Sequence, residues 1–173
     1  MKTTIQKRLG LIPLVSLLMI PFLGTTQNTN NNIYGTAGND NFIEHIVNTD
    51  GSMYLCGTQD SQASLMLVDE CGDVMFSKKY AFPGLTAFTS MTKADNGDIL
   101  LTRQLNSDWY LTRVDASGNV IWSKSYHNRL ERGHQIIKST GDSYFIVGWY
   151  AQFGISDDIT ILKVDGSGTP LWT

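Results

Sequence analysis

The sequence predicts an all-β protein, a β-propeller-like array of about three four-stranded antiparallel blades, on three observations. The first is a turn pattern, Val-Asp-x-x-Gly-x-x-x-aromatic, that occurs three times with its Asp residues 46 and then 50 positions apart. The second is a tyrosine that recurs every 46 residues, at Tyr34, Tyr80 and Tyr126. The third is Asp-Gly or Asn-Gly between apolar runs, at Asp50 and Asn96, a strong hairpin signal. Repeats of this length, built from strands and turns, are typical of propeller blades.

Residues 1–26 are predicted to be a secretory signal peptide. Basic residues precede an apolar run from Leu9 to Leu23, which contains two prolines and is short for a membrane span. The alternative is an uncleaved N-terminal anchor. Residues 27–32 are polar and rich in Asn, so we expect a flexible leader. The repeats then occupy residues 33–173.

Composition and charge exclude several classes of protein. Hydrophobic residues make up 42% of the chain and charged residues only 17%, which suits short strands joined by turns. Without the predicted signal peptide, ten Lys and Arg face 16 Asp and Glu, a net charge of −6. A negative chain without a basic cluster is not expected to bind nucleic acid. It is not expected to associate with anionic membranes or insert into them after signal cleavage.

Each repeat unit is predicted to contain four strands, and the units span about residues 33–80, 81–126 and 127–173. The first strands are predicted at 42–47, 86–92 and 133–139, and the second strands at 52–57, 98–103 and 143–149. The third strands are predicted at 63–68, 108–114 and 158–164, and the fourth strands at 74–80, 120–126 and 170–173. Several are apolar on both faces, as expected of strands stacked between neighbouring sheets.

The residues that repeat are interpreted as structural. An Asp before a glycine turn accepts backbone N–H bonds and shapes the turn. The turn positions are Asp69, Gly72, Asp115, Gly118, Asp165 and Gly168. The large aromatic residues that follow, Phe76, Trp122 and Trp172, are predicted to pack between blades. A repeated position indicates repeated architecture, so this interpretation is preferred to a carboxylate cluster or a sugar-stacking platform.

The two cysteines are not expected to form a disulfide. A hairpin around Asp60 and Ser61 places Cys56 opposite about Leu65, with Cys71 beyond the far end of the strand. Several residues of strand, at about 3.3 Å each, then separate the two thiols, which is too far for a disulfide.

At these residues the chain resembles the propeller repeats of secreted bacterial proteins that carry type IX secretion sorting domains. Residues 33–172 follow the order of those repeats: Tyr-Gly, a hydrophobic strand, an Asp-Gly hairpin, an apolar strand, and Asp-x-x-Gly-x-x-x-Trp. The turn is also similar to that of quinoprotein-like propellers, with a spacing one residue shorter. The resemblance implies a propeller fold and a location at the cell surface or outside the cell, and it implies no particular ligand.

Three units predict an incomplete propeller, because propellers typically close with about four to eight blades. Two explanations are kept open. The chain is either a fragment of a longer secreted protein or one half of a six-blade ring that a homodimer closes.

Binding residues are expected on the rim formed by the loops that join second to third strands and fourth to first strands, because loop variation is tolerated there. The candidates are His127, Arg129, Glu131, Arg132, Tyr150, Phe153, Asp157 and Asp158, with Trp109 close to them. A metal held by Glu131 and His134, or calcium held by Asp157 and Asp158, would lack a recognised ligand spacing. No metal, cofactor or catalytic residue is therefore predicted.

The function predicted is an exported, non-catalytic binding or scaffold module with a protein or glycan ligand of unknown identity. The alternative is part of a propeller enzyme, either a quinoprotein-like oxidoreductase or a polysaccharide-active enzyme. A purely structural spacer is the third possibility.

Overall fold

The computed structural model describes residues 32–84, 87–105, 108–126, 132–150 and 158–173. The predicted signal peptide and most of the predicted leader lie outside these residues. The first sheet contains β1 (Asn41–Val47), β2 (Met53–Gln59), β3 (Gln62–Val68) and β4 (Val74–Tyr80). The second contains β5 (Phe88–Lys93), β6 (Ile99–Leu105), β7 (Asp108–Val114) and β8 (Val120–Tyr126). The third contains β9 (Arg132–Lys138), β10 (Ser143–Tyr150), β11 (Asp158–Asp165) and β12 (Pro170–Trp172).

Each sheet is an antiparallel meander whose strands pair in chain order. The first strands of successive sheets touch, β1 with β5 and β5 with β9, so the sheets meet along their inner edges as propeller blades do. The predicted fold class is confirmed, and the strand bounds differ from the predicted ones by no more than two residues. No helix long and apolar enough to cross a membrane occurs among the described residues.

The same irregularities recur in all three sheets. A β-bulge interrupts each first strand, at Ile43, Thr89 and His134. A second interrupts each fourth strand, at Met75, Ile121 and Leu171. These bulges fix which residues are equivalent between sheets, because a bulge shifts the register by one residue.

Two hydrophobic clusters fill the spaces between successive sheets. Between the first and second sheets, side chains such as Cys56 and Leu65 pack against Ile99 and Leu101. On the other face of the second sheet, Leu100 belongs to the cluster shared with the third sheet. Alternate residues of β6 therefore enter different clusters, as the two-residue period of a strand requires.

The hairpin between β2 and β3 turns at Asp60 and Ser61, whose φ angles are 50° and 62°. Positive φ at both central residues is the type I′ geometry that suits the twist of a hairpin. Cys56 lies opposite Leu65, which is the register predicted from the sequence. Both thiols are free, and burial raises the pKa of Cys56 to about 12, which makes it an unreactive core residue.

Candidate functional site

The turns between third and fourth strands share one construction. In the second sheet, Asp115 Oδ1 accepts hydrogen bonds from the backbone N–H groups of Asn119 at 2.8 Å and Ser117 at 2.9 Å. Asp69 and Asp165 accept the equivalent pairs of bonds. The bond from the Asn119 backbone contributes most to lowering the pKa of Asp115. The acceptors of these carboxylates are thus engaged in shaping the turn.

The turns of the second and third sheets each also contact a tyrosine and a second aromatic ring, both from the preceding sheet. Tyr80 donates its hydroxyl hydrogen to the Gly118 carbonyl at 2.8 Å, and Tyr126 donates to Gly168 at 2.6 Å. A Cβ at Gly118 would lie 3.1 Å from Phe76 Cε2. Only glycine leaves room for such a close approach, so the turn and the ring of the preceding sheet lock together.

Most predicted rim residues fall in or beside the segments that the structure does not describe. His127, Arg129, Glu131, Phe153 and Asp157 lie outside the described residues, and for Arg132, His134 and Tyr150 only the backbone is described. Asp158 is the exposed first residue of β11. The expectation that Trp109 belongs with the rim residues is corrected by the structure. Its side chain is 1% exposed and belongs to the cluster between the second and third sheets. It begins a strand beside the rim, but strand alternation turns its ring inward.

Sequence reasoning missed Arg103, which lies near the end of β6, next to the loop between β6 and β7. Its side chain is buried, with only 4% of the residue exposed. The guanidinium carbon lies 3.9 Å from the centroid of the Phe82 ring and 3.8 Å from that of Tyr110. A guanidinium between two ring faces is a favourable cation–π arrangement.

The wall formed by Phe82 is itself held by aromatic neighbours. Phe82 stacks on Tyr80 with 6.0 Å between ring centroids, and Phe82 and Phe88 meet edge to face at 6.0 Å. Tyr80 and Phe88 also meet edge to face at 5.2 Å. The site is therefore assembled from the end of β4, the connection that follows it, and the adjacent strands β5, β6 and β7.

Part of the polar edge of Arg103 has no partner among the described residues. Nε and Nη1 are buried without a hydrogen bond there, and the same is true of Trp109 Nε1. None of the described ion pairs includes Arg103. Burial lowers the pKa of Arg103, although a guanidinium stays charged in proteins. The arrangement can accept an anion or a carbonyl oxygen, because ring faces attract the cation without accepting its N–H bonds.

A signal for Arg103 was present in the sequence. Arg103 pairs with Tyr110, and the register places Gly57 and Gly148 at the equivalent positions of the first and third sheets. One unit thus has arginine where the other two have glycine. A position-by-position comparison of the three units would have revealed it.

No protein-family model matches the chain, and no curated protein matches it. Among solved structures, it is similar to an α-L-arabinofuranosidase from Clostridium thermocellum, with 9% identity and a TM-score of 0.50. That match covers 70% of this chain and 46% of the arabinofuranosidase. A protein of unknown function from Bacteroides caccae has 12% identity and a TM-score of 0.47, covering 70% of this chain and 40% of that one. The chain spans less than half the length of either structure. At 9% identity, the likeness to the arabinofuranosidase concerns the fold alone, and it agrees with a propeller-like module.

Proposed function

We propose that the chain is an exported, non-catalytic binding module that holds an acidic glycan at its loop rim. Arg103 is the residue that recognises the carboxylate. The observation that carries this proposal is a buried guanidinium whose Nε and Nη1 hydrogens have no acceptor among the described residues. Leaving a buried donor unsatisfied costs about 1–3 kcal/mol, and more for a charged group. A side chain kept only for packing would not need that charge.

The chemistry of the site favours a carboxylate on a ligand with apolar surface. Arginine forms its strongest hydrogen bonds with carboxylates, and the ring faces of Phe82 and Tyr110 flank the place where they form. The predicted net charge of −6 repels polyanions at long range, so recognition has to come from local contacts. A sugar carboxylate supplies an anionic group beside an apolar ring face.

Entry of a ligand requires one wall of the site to move. Phe82 is the wall suited to this, since it is only partly buried and lies in the connection after β4 rather than in a strand. Tyr110 lies within β7 and is held by its pairing with Arg103 and Ser125.

Export rests on the basic residues and the apolar run within residues 1–26, together with the resemblance to secreted propeller repeats. Fusing that segment to a reporter enzyme and assaying the culture medium tests it. Retention of the reporter inside the cell would contradict export.

Calorimetric titration with polygalacturonate tests the rim, with its methyl ester as the matched neutral polymer. We expect polygalacturonate to bind and its methyl ester not to bind. Replacing the arginine in R103M should weaken the affinity about 10- to 100-fold, the value of a charge-assisted hydrogen bond. The control K79M removes an exposed cation on β4 and should leave affinity unchanged.

Equal binding by R103M and wild type would refute the role of Arg103, and release of reducing sugar would refute a non-catalytic module. Binding of acidic peptides in place of the glycan would assign the site to a protein ligand.

A further inference from the structure

Successive sheets in this chain are joined by the same set of contacts. A side chain of the first strand accepts a hydrogen bond from the backbone of the next sheet: Glu44 from Met91 N–H, and Ser90 from Ile136 N–H at 3.1 Å. The ring at the start of the fourth strand packs on the next glycine turn, as Phe76 does at Gly118. Each sheet therefore has two faces of different chemistry. The forward face meets the next sheet along the chain, and the backward face meets the previous one.

The forward face of the third sheet carries the same features, exposed to solvent. Register places Gln135 at the position of Glu44 and Ser90, and its side chain is exposed. Trp172 occupies the position of Phe76 and Trp122, yet it is 49% exposed. The ring of Trp172 rests on Phe145 of its own sheet, 5.7 Å away.

Apolar side chains surround Trp172 on this face. Ile137 is 47% exposed and Ile161 is 40% exposed. By contrast, Ile46, the equivalent of Ile137 in the first sheet, packs against the cluster between the first and second sheets. The exposed surface is thus the kind of surface that the chain buries twice within itself.

The backward face of the first sheet is the counterpart. A cavity of about 320 Å³ lies there, and Met53 and Leu55 line it. Their equivalents in the second sheet, Ile99 and Leu101, are fully buried against the first sheet. This backward face therefore has the shape and the apolar side chains to receive a forward face.

The Gly72 turn on this backward face has half of the usual contacts. Tyr34 donates its hydroxyl hydrogen to the Gly72 carbonyl, as Tyr80 does at Gly118. The atoms nearest to a Cβ at Gly72 belong to Asn32 and Tyr34, where the other turns have ring atoms of Phe76 or Trp122. Among the described residues, the tyrosine position is filled and the position of the packing ring is not.

We infer that two copies of this chain dock head to tail, with Trp172 of one copy on the Gly72 turn of the other. Tyr34 then supplies the hydroxyl contact that in the other turns comes from the strand carrying the ring. Such a contact joins different faces of the two copies. The assembly closes into a ring if the rotation between the copies permits it. Two copies bring together six sheets, within the four to eight of closed propellers. The surface is distinct from the rim around Arg103, and the inference does not depend on the glycan.

Light scattering across a range of protein concentrations tests the docking. We expect a mass of two chains, and W172A should raise the dissociation constant of the dimer at least about 30-fold, as loss of a central aromatic contact does. L171A is the matched control: Leu171 is 54% exposed and sits at a bulge whose equivalents Met75 and Ile121 are exposed in every sheet. A single-chain mass at all concentrations, or equal weakening by both variants, overturns the inference.

Cross-linking keeps the test independent of any effect of W172A on folding. Cys71 is exposed beside Gly72, while Cys56 is buried. A second thiol placed by T173C should therefore be joined to Cys71 of another copy by a short bis-maleimide. The product should disappear in T173C/C71S. A link that forms equally well after urea unfolding, or only within one chain, counts against docking and leaves the further blades of a longer polypeptide as the occupant of these faces.

Discussion

The two ends of the sheets are built on opposite principles. At the turn end, the three Asp-x-x-Gly turns between third and fourth strands repeat the same hydrogen bonds. Each glycine carbonyl accepts a hydrogen bond from a tyrosine hydroxyl. At the loop rim, Arg103 has glycine at both equivalent positions, and its buried Nε and Nη1 have no acceptor among the described residues. The recurring turn residues satisfy one another, whereas Arg103, which occurs once, keeps buried donors without an acceptor in the described part of the chain. In a repeat protein, a singular polar residue with such donors is therefore where binding should be sought.

One of the two largest losses of stability is expected from Gly168→Ala at the turn end. Gly168 has φ +76°, and a Cβ there would lie 2.8 Å from Trp122 Cη2. Left-handed backbone strain and overpacking against a rigid ring together should lower the free energy of unfolding by about 3 kcal/mol. Urea denaturation followed by circular dichroism measures it.

Gly97→Ala is the control, because Gly97 has φ +91° with nothing within 4 Å of a Cβ. Only the strain term should remain there, about 1–2 kcal/mol. Equal losses in the two variants would show that the ring contact at Gly168 has no energetic role.

Tyr80→Phe should have an intermediate effect. It removes the donor to the Gly118 carbonyl at a residue that is 8% exposed, leaving that acceptor without its partner. We expect a loss of about 1.5 kcal/mol in the same denaturation experiment. Tyr34→Phe removes the equivalent bond at a half-buried site, where water can replace it, and should cost about 0.5 kcal/mol. The reverse order would mean that burial does not set the strength of this contact.

Two buried arginines on neighbouring strands sharpen the comparison. Arg103→Met should change the free energy of unfolding by no more than about 1 kcal/mol, because lost cation–π attraction is offset by relief of an unsatisfied buried charge. Arg113 donates to Asp98 at 2.8 Å and to the Gly166 carbonyl at 2.6 Å. Arg113→Met should therefore cost about 3 kcal/mol. A large loss in Arg103→Met would indicate that Arg103 is structural and would weaken the proposed rim site.

The smallest effect should appear on acidification. Hydrogen bonds lower the pKa of Asp115, with the Asn119 backbone contributing most, and that of Asp165, with the Ser167 hydroxyl contributing most. Because the folded-state pKa lies below the unfolded value of about 3.9, this stabilisation is complete above that pH and is lost as pH falls through the folded-state pKa. Asp115→Asn should thus lower the urea midpoint at pH 6 more than at pH 3. A difference independent of pH would rule out the charged form as the turn acceptor.

The sequence predicted the strands well because their information is local. Alternating apolar residues and glycine turns repeat every 46 to 50 residues, so the strand assignment of each repeat unit can be checked against the other two. Arg103 could not be placed in the same way, since its burial depends on Phe82 and Tyr110, which come from other elements. Trp109 failed for a related reason: proximity to a loop does not say which face of the strand a ring occupies.

The meander of each sheet has a consequence for how the protein comes apart. In the part of the chain that the structure describes, every strand pairs only with its neighbours in the chain, and each sheet packs only on the sheets before and after it. Such quasi-one-dimensional architectures open from their ends in cooperative sections. In a chain with no second copy docked on it, the amides of β6 and β7, covered on both faces, should exchange hydrogen for deuterium most slowly, and those of β12 most rapidly. The undocked chain is then a stack with a stable centre and two ends that unfold first.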